Sequence, residues 1–337
     1  MKVNIIISIV LFIIITKHES KAQDKIRLNN NIIVENEKNE LKVKKWLTKI
    51  TDKEYKVKNI FDIEKLDLTY STITNKEFKN LAYFKKLKIL LLPKYVINSN
   101  IFYIKNLYSL TKLTINSAEI NDYGMKYLEQ LRNLKSLDIS YTKVTSKGLE
   151  FIKNLINIEA LDISFTNVTN SGIRKLNKLK KLSRLEVAKT KINDKGIKYI
   201  NNFPLLKSLI LSDNISDLGL YNLNHNDRLN TLELSLTKIT DRGLYNLTKF
   251  KNLENLYLSY TNITDKGLSQ LSRFKKLKIL TLYNTKITNK GLHLFYPLKN
   301  LKILDLRTVT VDDEKKIMEL KKRLPNCDIK SIIDYKR

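Results

Sequence analysis

The sequence predicts an α/β repeat solenoid, and three observations carry that prediction. Leucines that open an LxL, LxI or LxV pair recur at Leu66, Leu90, Leu113, Leu137, Leu161, Leu185, Leu209, Leu232, Leu256, Leu280 and Leu304, in steps of 23 or 24 residues. A period of that length is the signature of stacked supersecondary units. All eight glycines fall at one position of the period: Gly124, Gly148, Gly172, Gly196, Gly219, Gly243, Gly267 and Gly291. A third position is always Ser, Thr, Asn or Asp, the set that caps helix N-termini. It reads Thr74, Asn98, Asn121, Thr145, Thr169, Asn193, Ser216, Thr240, Thr264, Thr288 and Asp312.

The parts of one unit follow in order from Leu256 to Lys276. Leu256-Tyr257-Leu258 alternates apolar, exposed, apolar, which predicts a half-buried strand. Thr261 comes where the chain turns inward, and its hydroxyl can satisfy backbone groups left open there. Ile263 packs inward and Thr264 caps a helix. Asp265 then places an acid on the positive end of the helix dipole, as Asp122, Asp194, Asp217, Asp241 and Asp313 do in other units. Gly267 lies in the first helical turn, where glycine costs about 1 kcal/mol against alanine. The expected reason is close packing: a Cβ there would strike the adjacent unit, so Gly243→Ala should lower thermal stability. Leu268, Leu271 and Phe274 continue at helical spacing toward the core. Lys275 and Lys276 suit the negative end of the dipole.

The frame LxxLxLxxTxITDxGLxxLxxLxx resembles the 24-residue bacterial form of the leucine-rich repeat family. The resemblance covers about three quarters of the chain, and eleven repeats run over residues 63–315. It implies a right-handed horseshoe with parallel strands on the concave side and helices on the convex side. The asparagine usual after the strand is Thr here (Thr142, Thr166, Thr190, Thr237, Thr261, Thr285), with Asn only at Asn214.

The flanking segments read differently. Residues 1–22 have the anatomy of a secretory signal peptide: Lys2, an apolar run Ile5–Ile15 broken only by Ser8, and small residues at Ser20 and Ala22, with cleavage expected after Ala22. Eleven helical residues span roughly 16 Å, about half a bilayer core, so a permanent anchor is disfavoured. The mature chain is expected to be secreted, periplasmic or on the cell surface, with no stable membrane insertion. Residues 23–62 form an N-terminal cap, with an amphipathic helix carrying Leu41, Val43, Trp46, Leu47 and Ile50 to cover the first repeat. Residues 316–337 form a C-terminal cap: a helix over 314–324 runs into it, and a Pro stop and a terminal strand in "LPNCDIKSI" follow. Cys327, the single cysteine, reads as a buried structural residue.

Composition and motifs narrow the function. One cysteine forms no internal disulfide and no thiolate cluster, and His18, His225 and His293 share no metal-ligand spacing. GxSxG, HExxH, CxxC and phosphate-loop patterns are absent from the sequence, so no catalysis and no cofactor are expected. The net charge of +28 has two readings. It reflects a Lys-, Asn- and Ile-rich composition, or it marks a binder of polyanions such as nucleic acid, anionic lipid or glycan through the convex lysines. No block of six or more like charges stands out, which argues against nucleic acid.

The outward position between the strand leucines reads Asp67, Leu91, Thr114, Asp138, Asp162, Glu186, Ile210, Glu233, Tyr257, Thr281 and Asp305. Exposed aromatics follow two or three places on. The candidate concave site is therefore Asp138, Tyr141, Asp162, Phe165, Glu186, Glu233, Tyr257, Tyr260 and Tyr283. It predicts a monomeric, exported module that binds a peptide or protein through aromatic anchors and acids. The competing account is that the aromatics stack between rungs as strand formers and the acids relieve excess positive charge.

Overall fold

The computed structural model describes residues 40–51, 59–117 and 119–331, and the chain divides into two compact units, 1–61 and 62–337. The signal-peptide residues and the Ala22 cleavage site lie outside the described residues. In the first unit residues 40–51 are helical. Val43, Trp46, Leu47 and Ile50 are buried, whereas Leu41, expected on the same face, is 55% exposed. Two residues of helix turn Leu41 about 200° away from Val43, which puts it on the opposite side.

The second unit is built on one sheet of twelve parallel strands in sequence order, from Lys65–Asp67 to Asp328–Ser331. The leucine period sets its register. Leu66 pairs with Leu90, Leu256 with Leu280, and Leu304 with Ile329 of the terminal strand. Both strand leucines of each rung point into the core: Leu256 and Leu258 are fully buried. A second parallel ladder forms at the helix starts, where Thr145 bridges Asn167 and Thr264 bridges Lys286.

Each turn closes as the threonines predict. Thr142, Thr166, Thr190, Thr237, Thr261 and Thr285 each donate the hydroxyl to the carbonyl three residues earlier, for example Thr261 to Leu258 at 2.6 Å. Asn214, in a repeat one residue shorter, instead donates its amide to the Thr190 carbonyl of the previous rung at 3.1 Å.

The helices are shorter than expected. Asp265–Leu268 is one α-helical turn, and Leu271–Arg273 is a 3-10 turn; among the described residues of the second unit only Glu314–Arg323 reaches ten residues. A 24-residue unit must also hold a strand and two reversals, and tight 3-10 turns fit what remains. Seven of the cap residues accept from the N–H two residues on: Asn121, Thr145, Asn193, Ser216, Thr240, Thr264 and Thr288. Four positions depart. Thr169 bonds Ser146 and Ser171 instead. Thr74 donates to Glu77 Oε2. At the ends of the solenoid the frame slips by one residue: the caps are Ile97 rather than Asn98, and Asp313 rather than Asp312.

The acid after the cap does more than face its own helix. Asp122 Oδ1 accepts from the N–H groups of Thr145 and Gly148 in the next rung at 2.8 and 2.9 Å, and Oδ2 accepts the Thr145 hydroxyl at 2.6 Å. Asp194, Asp217, Asp241 and Asp265 repeat the pair of bonds to the next cap. Donors and acceptors are matched. The hydroxyl caps Thr145, Ser216, Thr240, Thr264 and Thr288 face Asp, Thr169 faces Ser146, and the Asn193 cap, an acceptor, faces Asn170, whose amide donates to it at 2.8 Å.

This ladder explains the glycines. A Cβ on Gly148 would lie 2.5 Å from Asp122 Oδ1, and one on Gly243, Gly267 or Gly291 would run into the carboxylate of Asp217, Asp241 or Asp265. Close packing is therefore the reason for the glycine; backbone conformation is not, since no glycine has positive φ. The last core position of each repeat holds Phe84, Leu107, Leu131, Leu155, Leu179, Phe203, Phe250, Phe274 or Leu298, all buried. In the seventh repeat that position is Asn226.

Candidate functional site

Residues on either side of the register leucine share the exposed face of the sheet, because side chains alternate along a strand. The strand pairing sets Asp138 beside Asp162 and Asp162 beside Glu186. Ile210 interrupts the acid row, and Glu233 and Tyr257 resume it on the next two rungs. The nine candidate residues therefore form no single pocket. They fall into an acid triplet, an acid–tyrosine pair and two aromatic pairs.

The triplet lines a hollow of about 330 Å³ on the strand face, together with Lys112, Thr114, Ser136, Ala160 and Arg184. Arg184 and Lys112 were missed by considering only the residue between the leucines; the strand period of two puts the residue before the leucine on the same face. Arg184 Nε donates to Glu186 Oε1 at 2.6 Å. Asp138 Oδ1 accepts the N–H and hydroxyl of Ser140 at 2.9 and 2.7 Å. Asp162 Oδ1 accepts the Ser164 N–H at 2.8 Å, and Glu233 Oε1 the Ser235 N–H at 2.6 Å. These acids thus brace the turn that follows their strand.

Burial pushes the Asp162 carboxyl up from 3.8 to about 6; the Ser164 bonds oppose this, and the neighbouring Glu186 and Asp138 charges add to it. Burial also raises Glu233, against its Ser235 bonds. Burial, then the Glu233 charge, raises the Tyr257 hydroxyl.

The aromatics sit where the strands run into the turns. Tyr141 and Phe165 stack at 4.2 Å with planes 11° apart, and Tyr260 meets Tyr283 edge-on at 5.0 Å. Stacking between rungs is thus part of their role, as the competing account expects. Tyr141, Phe165 and Tyr260 are nonetheless about half exposed. Their backbones are left-handed, with φ of 57°, 56° and 58°, as are those of Lys189, Leu236, Asn284 and Thr308. That region costs roughly 1–2 kcal/mol per non-glycine residue. Bonds across rungs offset it: Tyr141 N–H donates to Ser164 O at 3.0 Å and Tyr260 N–H to Tyr283 O at 2.8 Å. Arg307 lies 5.5 Å above the Tyr283 ring.

Among the described residues no group of three or more His, Cys, Asp or Glu side chains is placed to hold a metal ion. Cys327 is half-buried rather than buried. Burial, then the Asp328 charge, pushes its thiol up to about 11, so it is a neutral thiol at pH 7.

One open sheet of parallel strands, backed by short helical turns with a 23- to 24-residue period, defines a horseshoe repeat solenoid. The chain carries leucine-rich repeats: the family model described as "Leucine Rich repeat" matches residues 130–153, 154–176, 225–247 and 251–272. Among solved structures it is similar to an internalin (inlF) from Listeria monocytogenes str. 4b F2365, at 19% identity and a TM-score of 0.53, covering 77% of this chain and 89% of that one. It is also similar to TLR13 in a TLR13–ssRNA13 complex, at 19% identity and a TM-score of 0.52, covering 77% of this chain and 41% of that one. Both are likenesses of fold. No curated protein matches the chain.

Proposed function

We propose that the chain is an exported, non-catalytic recognition module that binds a basic or amphipathic peptide or protein across the strand face of its horseshoe, as a monomer. The acid row Asp138–Asp162–Glu186 carries this reading. Asp162 stands between Asp138 and Glu186 on adjacent rungs; its burial carries a desolvation cost, to which the two neighbouring charges add. An uncharged Asn or Ser would brace the same turns, so the turns do not account for the charge. Relief of excess positive charge does not account for the burial either. Exposed pairs such as Lys88–Glu64 and Lys278–Glu254 neutralise charge at the surface. A cationic partner settled over the hollow recovers the cost, and the half-exposed Tyr141 and Phe165 supply apolar contact beside it.

Export rests on residues 1–22, which lie outside the described residues; no described helix is long and apolar enough to cross a membrane. N-terminal sequencing of the chain recovered outside its host cell should begin at Gln23. A first residue of Met1 would rule out this route.

Asp138→Asn, Asp162→Asn and Glu186→Gln combined keep the turn acceptors and remove the charge. Partners captured by the mature chain should be lost from this variant and kept by one in which Lys147, Lys266 and Lys290, exposed lysines that precede the repeat glycines in the helical turns, are neutralised. The opposite pattern, with capture abolished by salt and indifferent to the acids, identifies a polyanion binder and overturns the proposal.

A further inference from the structure

We infer that the seventh repeat contains a second binding site, a hollow in its core that takes a small aromatic ligand with one polar edge. Three observations meet there. First, Asn226 stands where the other repeats place a buried Leu or Phe, and the rungs on either side place Phe203 and Phe250. Second, the Asn226 side chain is tied to backbone instead of filling the core: Nδ2 donates to Leu206 O at 3.0 Å and Oδ1 accepts the Arg228 N–H at 2.9 Å. Third, the helix Asp217–Asn222 stops sharply at Leu223, whose backbone is extended (φ −73°, ψ 119°).

The result is a hollow of about 400 Å³ lined by Phe203, Leu206, Leu223, Leu229 and Phe250 and, in about equal measure, by Asn201 and the polar loop 224–228. That volume lies in the range of small-molecule sites, which combine an apolar wall with a few placed polar groups. The polar lining groups are held by hydrogen bonds. Asn201 accepts the Asn224 N–H at 2.9 Å, and His225 meets Asp227 at 2.9 Å. The repeat itself names the occupant: its neighbours fill the same position with a phenyl ring, so a flat ring entering from solvent occupies the place that Asn226 leaves. The polar edge of the ligand then faces the Asn224–Arg228 loop.

Indole serves as the probe. Calorimetric titration of the full chain should give saturable, single-site binding. In selectively labelled protein, indole should shift the methyl resonances of Leu206, Leu223 and Leu229 and leave those of Leu271, in an intact repeat, unmoved. Asn226→Leu and Asn226→Phe each fill the hollow and should weaken indole binding by at least about tenfold while the circular dichroism stays that of the parent. Two variants are used so that a failure of one to fold leaves the other, and the methyl shifts need neither. Absence of saturable binding to the parent, shifts spread evenly over both repeats, or unchanged affinity in a folded variant overturns the inference. None of these readouts involves the strand-face acids, so its failure is separate from that of the recognition module.

Discussion

Gly243→Ala and Gly267→Ala are each expected to lower the stability of the solenoid by about 1–3 kcal/mol, although alanine is the better helix former by roughly 1 kcal/mol. The obstacle is a neighbour that cannot swing aside. A Cβ on Gly267 meets the Asp241 carboxylate, with the Asp241 Cα 3.2 Å away. Asp241 is fixed by the Thr264 N–H at 2.8 Å and the Thr264 hydroxyl at 2.7 Å. Displacing it leaves a half-buried N–H unpaired and breaks the tie between two rungs. At Gly243 the clash is worse, because Ile239 Cγ2 also stands 2.5 Å from the added carbon. Urea midpoints measure the loss. A double-mutant cycle at Gly267 identifies its source. In an Asp241→Ala background the carboxylate is gone, and Gly267→Ala should become neutral or stabilising. Equal harm in both backgrounds would show that the carboxylate is not what excludes the Cβ.

The sequence makes this position readable only in part. Spacing along the chain reports what happens within one repeat: the strand alternation around Leu256, the hydroxyl cap at Thr264, the crowded glycine at Gly267. It does not report which atom of the next repeat lies opposite, so Asp241 reads as a dipole partner of its own helix when its carboxylate in fact spans to Thr264. The donor–acceptor matching, Asp before five of the hydroxyl caps and Asn before Asn193, is visible in the sequence once the offset of 22 or 23 residues is known. The left-handed residues were hidden for another reason. Glycine is the usual marker of positive φ, and here Tyr141, Phe165 and Tyr260 adopt it while every glycine does not. The candidate site was legible at the level of rows. Alternation placed Asp138, Asp162 and Glu186 on one face, but the pairing of Glu186 with Arg184 and the stacking of Tyr141 on Phe165 depend on rotamers that no spacing encodes. Asn226 was present in the frame as one polar letter at an apolar position, where one sequence read alone gives no reason to separate a cavity from drift.

Asp162→Asn is expected to stabilise the protein at neutral pH and to do so less and less as the solution is acidified. The direction follows from linkage. The Asp162 carboxyl titrates near pH 6 in the folded chain and from 3.8 in its unperturbed state. Well below pH 4 (roughly the unfolded value) both states hold the proton, and the residue contributes nothing to the pH dependence. Between there and pH 6 the folded state keeps a proton that the unfolded state has released, so stability falls as pH rises. Above pH 6 both are ionised and the full cost is present. A shift of that size sets a ceiling of ~3 kcal/mol, and the partial exposure of the carboxylate reduces it to about 1–2 kcal/mol. The asparagine keeps the Oδ1 acceptor for the Ser164 N–H and never ionises. The stability difference between variant and parent should therefore be near zero at acid pH and grow to about 1–2 kcal/mol by pH 7, measured by urea unfolding across the range. A difference that is flat with pH would mean that Asp162 titrates normally, and the electrostatic cost assigned to the acid row would fall with it. A rising difference would mean that the chain carries a charge that weakens its own fold at neutral pH. The same substitution is one of the three that should release a basic partner, so stability and capture are expected to move in opposite directions at this one residue. A residue that only braced a turn would give no reason for that opposition.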